Sequence, residues 1–108
     1  MSKLTLDELQ ERAVPRRGVY DDSLLFWSVG LGGESGEVLN VVKKIYRDAP
    51  PVVEQDVLGT MSMNDKLVEE AGDVLFYLRQ VLAKRGYTLE DAGRGLLDKL
   101  DAMGPPLS

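Results

Sequence analysis

The sequence Gly-Leu-Gly-Gly-Glu-Ser-Gly-Glu-Val-Leu-Asn-Val-Val-Lys-Lys, residues 30–44, places two carboxylates, Glu34 and Glu37, three residues apart in a stretch of helical character. A second pair with the same spacing, Glu70 and Asp73, lies in Val-Glu-Glu-Ala-Gly-Asp-Val-Leu. Residues i and i+3 of an α-helix lie on one face, about one turn apart. Two such helices can aim four carboxylates at one point, where their mutual repulsion favours a bound cation.

Apolar residues recur at helical spacing in four segments. We therefore predict an all-α fold, a helical bundle of about four helices in one domain, residues 1–108. Thr5, followed three residues later by a glutamate, matches a capping box and begins a short helix that ends near Val14. Thr88 with Asp91 begins a fourth, weaker helix.

The two long helices in between are predicted to carry the acids beside, and not on, their buried faces. Their apolar stripes are Leu24, Trp27, Leu31, Val38, Val42 and Ile45, and Leu67, Ala71, Val74, Leu78 and Val81. Leu75 and Leu82 widen the second of these stripes. Either Ser62 or Asn64 can cap the second of these helices. The adjoining stripes hold the acid pairs together with Val41 and Lys44, and with Lys66, Tyr77 and Gln80.

Four glycines lie in the first of these helices, at positions 30, 32, 33 and 36. Each lowers the stability of the helix by about 1 kcal/mol relative to alanine. Two explanations remain open: a close approach by another backbone or a ligand, or a break near Gly32-Gly33. Residues 48–61, which contain two adjacent prolines and a Gly-Thr pair, predict a loop between the acidic helices.

Composition excludes several classes of function. The net charge of −5 argues against a general nucleic-acid or anionic-membrane binder. The chain has no cysteine and no histidine, which excludes a thiol nucleophile, an imidazole base and the usual zinc sites. Any metal must be held by oxygen, which favours Mg²⁺ or Mn²⁺. No targeting segment or membrane-spanning run is visible, so we expect a cytoplasmic protein.

Aromatic residues make up only 6% of the chain, so a single subunit has a small core. We therefore expect apolar stripes to be shared across a subunit interface.

The residues alone leave two interpretations of the acid pairs open: a metal site and a solvated acidic surface. A phosphate-binding glycine loop is excluded, because no strand precedes Gly30 and Glu34 repels a bare phosphate. Trp27 and Tyr77 suit core packing better than stacking against a nucleotide base.

The run Trp-Ser-Val-Gly-Leu-Gly-Gly-Glu-Ser-Gly-Glu-Val from residue 27, with Leu-Val-Glu-Glu-Ala-Gly-Asp-Val-Leu-Phe-Tyr-Leu from residue 67, resembles the MazG-like all-α nucleotide pyrophosphohydrolases. The resemblance covers roughly residues 20–100. It implies Mg²⁺-dependent hydrolysis of a nucleoside triphosphate to its monophosphate and pyrophosphate, with Mn²⁺ as a possible substitute. It also implies a homodimer or homotetramer of helical bundles.

The resemblance assigns roles to individual residues. The implied metal ligands are Glu34, Glu37, Glu70 and Asp73. The implied catalytic acids are Glu69 and Glu37, and the implied substrate contacts are Lys44, Lys99, Tyr77 and Trp27. Two positions depart from the family pattern: Gly33 replaces an acid and Leu96 replaces an asparagine.

Two other functions remain as alternatives to the enzyme. One is a regulatory module of the same fold that binds a nucleotide or metal without efficient turnover. The other is a helical oligomerisation protein whose acids are surface charges. The sequence does not identify the preferred nucleotide.

Overall fold

The structure, a computed structural model, describes residues 2–18, 21–48 and 62–107. These residues form four helices and no strand, which confirms the predicted all-α class. The helices are α1 (Leu6–Arg12), α2 (Leu24–Asp48), α3 (Met63–Lys84) and α4 (Leu89–Met103). The predicted loop, apart from its first residue, lies outside the described residues.

Side chains cap the helices where the sequence predicts. The Thr5 hydroxyl oxygen accepts a hydrogen bond from the Glu8 backbone N–H (3.1 Å), and Ser62, not Asn64, accepts one from the Asp65 N–H (3.0 Å). Thr88 and Asp91 form a complete capping box at the start of α4. Local hydrogen bonding therefore explains where these helices begin.

Helix α2 runs unbroken for 25 residues through its four glycines, so the break considered near Gly32-Gly33 does not occur. The close approach occurs instead at Gly30, where an added Cβ would overlap the Tyr77 ring. Apart from neighbouring residues and backbone of α2 itself, no described atom lies within 4 Å of a Cβ placed at Gly32, Gly33 or Gly36.

The core lies mainly between α2 and α3, which pack chiefly against each other. Its centre is Trp27, with 1% of its surface exposed. Three rings meet Trp27 edge-on, with centroid distances of 5.0, 5.4 and 5.9 Å to Phe26, Tyr77 and Phe76. The Trp27 indole N–H donates to Asp22 Oδ1 (2.7 Å), so the polar edge of the buried ring is also satisfied.

The predicted buried faces need correction. On α2, the adjoining stripe contributes the buried Val41, whereas Leu24 is 39% exposed. On α3, Glu70 and Gln80 are buried while Leu75 of the widened apolar stripe is 43% exposed. Within one subunit, therefore, α2 and α3 face each other largely along the stripes that carry the acids.

Hydrogen bonds explain part of this inversion. Gln80 Nε2 donates to the backbone carbonyls of Ala13 (2.6 Å) and Phe76 (3.0 Å), which fastens the segment after α1 to α3. Arg79 Nε donates to the Gln10 carbonyl (3.0 Å). A buried amide with satisfied donors is stable where an unpaired one is not, so the polar stripe of α3 tolerates burial.

Candidate metal and active site

Three of the predicted carboxylates converge. Glu34 on α2 and Glu70 and Asp73 on α3 each offer one oxygen atom, and these three oxygens lie within 4.8 Å of one another. We call these three residues the carboxylate cluster. Glu70 is the most enclosed, with 8% of its surface exposed. Its i, i+3 relation to Asp73 places both side chains on the face of α3 that meets α2.

The cluster fits a divalent cation of the magnesium type. Mg²⁺ takes six oxygen ligands at 2.0–2.1 Å, so ligands on opposite sides of the ion are about 4 Å apart. Carboxylate oxygens within 4.8 Å of one another need only small side-chain shifts to reach such an ion. An all-oxygen donor set also favours Mg²⁺ or Mn²⁺ over zinc.

Electrostatics in the cluster favour a cation as well. Burial raises the pKa of Glu34, and the charges of Asp73, Glu70 and Glu37 raise it further. Burial also raises the pKa of Asp73, with added repulsion from Glu70 and Glu69. Carboxylates that oppose each other's ionisation lose that repulsion when a divalent cation lies between them.

Lys66 supplies part of the missing positive charge. Its ammonium lies 3.4 Å from Glu69 Oε1 and 3.5 Å from Glu70 Oε1. The hydrogen bond to Glu69 is the main reason why the pKa of Lys66 is raised. The i, i+4 spacing of Lys66 and Glu70 is visible in the sequence. The burial of Glu70 is not, and it is this burial that brings Lys66 to the cluster.

Glu37 and Glu69 lie at the margin of the cluster. Both are exposed, and Glu37 is not among the three converging carboxylates. Glu37 is near enough for its charge to raise the pKa of Glu34, and Glu69 acts similarly on Asp73. The ligand role of Glu37 and the catalytic roles of both residues stay predictions.

The predicted substrate contacts fall in different places. Lys44 is exposed on α2, seven residues beyond Glu37, or about 10 Å along the helix axis. Lys99 is exposed on α4, which packs on α1 and α3. Tyr77 is half-buried against α2, and the buried Trp27 ring favours the packing interpretation of that residue.

Sequence reasoning missed two contacts that fix the helices around the cluster. The Tyr77 ring fills the space at Gly30. Asp22 accepts hydrogen bonds from the Trp27 indole and from Lys84 Nζ, both at 2.7 Å, and the Lys84 bond is the largest reason why the Asp22 pKa is lowered. Neither contact follows from helical periodicity, because each depends on the register between α2 and α3.

Comparison with known proteins identifies the family. The profile of the MazG nucleotide pyrophosphohydrolase domain matches residues 27–106, which include both acid pairs. The chain belongs to this family. The family membership that the sequence motifs suggested is thereby confirmed. The predicted chemical class, a pyrophosphohydrolase acting on a phosphoanhydride bond, is confirmed as well. The assignment of residues 1–108 to a single MazG domain stays a prediction.

Two known proteins are similar to this chain in sequence. The chain is 35% identical over 81 residues to the gene 37 protein of Mycobacterium phage L5, an alignment that covers 75% of this chain and 66% of the phage protein. It is 30% identical over 96 residues to a phosphoribosyl-ATP pyrophosphatase of Leuconostoc mesenteroides, covering 84% of this chain and 73% of that enzyme. No solved structure shows a significant match.

Family members generally use divalent metal ions, in agreement with the cluster of Glu34, Glu70 and Asp73. Across the part of the chain that the structure describes, no helix combines the length and the apolar character needed to cross a membrane.

Proposed function

We propose that this MazG protein hydrolyses a nucleoside or deoxynucleoside triphosphate to its monophosphate and pyrophosphate, with Mg²⁺ as the cofactor and Mn²⁺ as a possible substitute. The observation that carries the proposal is the convergence of Glu34, Glu70 and Asp73 within the region that matches the family. An acidic protein approaches a polyphosphate favourably only with cations between them, and this cluster is where such cations fit best.

The carboxylates hold the cation, and Glu37 is proposed as a fourth ligand from the margin. Bound Mg²⁺ supplies charge neutralisation for the phosphates and lowers the pKa of water. The oxygen of a water molecule adds to the α-phosphorus, and the bond from that phosphorus to the bridging oxygen breaks to release pyrophosphate. Glu69, which is exposed beside Glu70, is proposed to accept the proton that the water loses.

The nucleotide itself is proposed to contact residues outside the cluster. Lys44 and Lys99 are exposed cations that can neutralise phosphate charge. Tyr77, four residues beyond Asp73 on α3, is proposed to border the nucleotide site with its outer edge. Trp27 would support this site from within the core.

The active protein is proposed to be a cytoplasmic homodimer or homotetramer. Ser35, Val38, Ala71, Val74 and Leu75 line an open, mainly apolar groove along α2 and α3. Other large apolar residues are strongly exposed in the single subunit, among them Leu25 (73%), Leu39 (69%) and Val68 (72%). Apolar surface of this extent is typical of a subunit interface.

A substrate panel tests the proposal. The purified protein is incubated with each of the common nucleoside and deoxynucleoside triphosphates and with phosphoribosyl-ATP, with and without Mg²⁺. Release of pyrophosphate and of orthophosphate is measured separately. We expect Mg²⁺-dependent release of pyrophosphate from at least one substrate and its loss in Glu70→Gln, with Asp101→Asn as the acidic control.

Three outcomes would contradict the proposal in different ways. Release of orthophosphate alone would mean that another bond is cleaved. A nucleotide-induced rise in melting temperature without turnover would favour the regulatory binding module. Equal activity in Glu70→Gln and the control would remove the cluster from the chemistry.

A further inference from the structure

The Tyr77 ring lies in a gap in the surface of α2 that exists because residue 30 is glycine. A Cβ at Gly30 would lie 3.1 Å from Tyr77 Cζ and closer still to Cδ1 and Cε1. A side chain of any size at residue 30 would therefore push the ring, and α3 with it, away from α2. Gly30 is the only described glycine of α2 that has such a neighbour within 4 Å.

This contact lies one helical turn from the carboxylate cluster on both helices. Gly30 precedes Glu34 by four residues on α2, and Tyr77 follows Asp73 by four residues on α3. The two helices run antiparallel, since Gly30 neighbours Tyr77 and Glu34 neighbours Asp73, while Asp22, just before α2, pairs with Lys84 near the end of α3. The distance between the helices at Gly30 and Tyr77 therefore also sets the distance between Glu34 and Asp73, one turn further along.

The ring cannot readily turn aside. Its centroid lies 5.4 Å from that of Trp27 and 5.7 Å from that of Phe76, both in edge-on geometry. Trp27 is itself fixed by burial and by its hydrogen bond to Asp22. Because Trp27 and Phe76 pack against the inner side of this half-buried ring, extra volume at residue 30 is accommodated by moving the helices.

We propose that Gly30 and Tyr77 are positioning residues that set the α2–α3 separation, and thereby hold Glu34 at coordinating distance from Glu70 and Asp73. This inference rests on the metal site of the proposed function. Mg²⁺ demands near-ideal octahedral geometry at 2.0–2.1 Å, and sites lose function when their ligands move by more than about 0.5 Å. A displacement about the size of a methyl group is therefore enough to separate Glu34 from the two acids of α3.

The test measures metal binding directly, without nucleotide and without turnover. Mn²⁺ binding to the full-length protein is followed by electron paramagnetic resonance of the free ion. We expect Gly30→Ala to weaken Mn²⁺ binding by about tenfold or more, the size of effect seen when groups that orient metal ligands are changed. Gly33→Ala is the matched control, because it adds the same methyl group to α2 where no described atom from outside the local helix lies within 4 Å. This variant should bind Mn²⁺ as the wild type does.

A double-mutant cycle separates positioning from simple loss of stability. Tyr77→Ala should also weaken Mn²⁺ binding, because it removes the ring that keeps α2 and α3 apart. Adding Gly30→Ala to that variant should weaken Mn²⁺ binding no further. If Gly30→Ala fails to fold, as judged by circular dichroism, Tyr77→Ala and the double variant still decide the question.

Each result bears on one claim. Wild-type affinity in Gly30→Ala or in Tyr77→Ala would overturn the positioning role while leaving the metal site intact. Additive losses in the double variant would also overturn it. Failure of the wild-type protein to bind Mn²⁺ at all would instead overturn the proposed function.

Discussion

The fold raises the pKa values of both Glu34 and Asp73, in each case chiefly through burial. A raised pKa means that the folded protein binds the proton more tightly than the unfolded chain. The stability from this source is fully present below the unfolded pKa values, 4.5 for Glu34 and 3.8 for Asp73, and is lost as the pH rises through the folded values. At pH 7 both carboxylates therefore weaken the metal-free fold.

The first prediction concerns pH. Lowering the pH from 7 to 5 in the absence of metal should raise the urea midpoint, because Glu34 and Asp73 begin to protonate. Asp22, whose pKa is lowered, loses its contribution only as the pH falls below its ordinary value of 3.8, outside this window. The double variant Glu34→Gln/Asp73→Asn should show a flatter dependence. A wild-type urea midpoint that decreases as the pH is lowered from 7 to 5 would contradict this prediction.

The second prediction concerns Lys66, which neutralises part of the cluster through Glu69 and Glu70. Lys66→Met should destabilise the metal-free protein only slightly, since the lysine is partly exposed and solvent screens its ion pairs. It should also tighten Mn²⁺ binding by about threefold to tenfold, because a competing positive charge is removed. Lys43→Met, an exposed lysine of α2, is the control, and weaker Mn²⁺ binding in Lys66→Met would show that the lysine supports the site.

At the scale of elements, the packing of α2 against α3 requires a glycine at position 30, but not at positions 32, 33 and 36. The third prediction is that Gly33→Ala raises the free energy of unfolding by about 0.5–1 kcal/mol, because alanine restricts the unfolded chain and no described atom opposes its methyl group. Gly30→Ala should lower it. Urea unfolding of both variants measures the difference, and effects of the same sign would show that the two positions are equivalent.

The sequence predicted the helices better than their packing. Capping residues and periodicity located the start of α1, α3 and α4, because these signals are local. Which face of each helix is buried depends on a partner that the local pattern does not contain. The stripes that carry Val41 and Gln80 were therefore predicted to adjoin the core, yet both residues are buried.

The same distinction applies to the site. The two i, i+3 pairs predicted that carboxylates of both helices can meet at one point, and the family resemblance implied that they bind a metal ion. The contact of Tyr77 with Gly30 and that of Asp22 with Lys84 required the register between two helices, which no spacing within one helix reveals.

At the scale of the whole molecule, the single subunit buries few of its apolar side chains. Among the described residues, the buried apolar side chains are Trp27, Val41 and Leu89. Leu75, predicted to face the core, is instead 43% exposed in the groove along α2 and α3. A second subunit that covers this groove would complete the core that one chain leaves open.

The fourth prediction tests this assembly. Light scattering at micromolar concentration should give the mass of a dimer or tetramer for the wild type. Leu75→Glu should shift the protein toward the monomer, because it places a charge in the apolar groove. Leu107→Glu, in the exposed C-terminal segment, is the control and should leave the mass unchanged. A monomeric wild type would contradict the prediction.

The central claim is that Glu34, Glu70 and Asp73 act as one metal-binding unit in pyrophosphate release. The most direct measurement is kcat at saturating Mg²⁺ and nucleotide for Glu34→Gln, Glu70→Gln, Asp73→Asn and the triple variant. Each amide keeps the size of the side chain and removes its charge. We predict that each single change removes most activity, and that the triple variant is little worse than the worst single one, because groups acting as a unit are not additive. Single variants as active as the control Asp101→Asn would contradict the account.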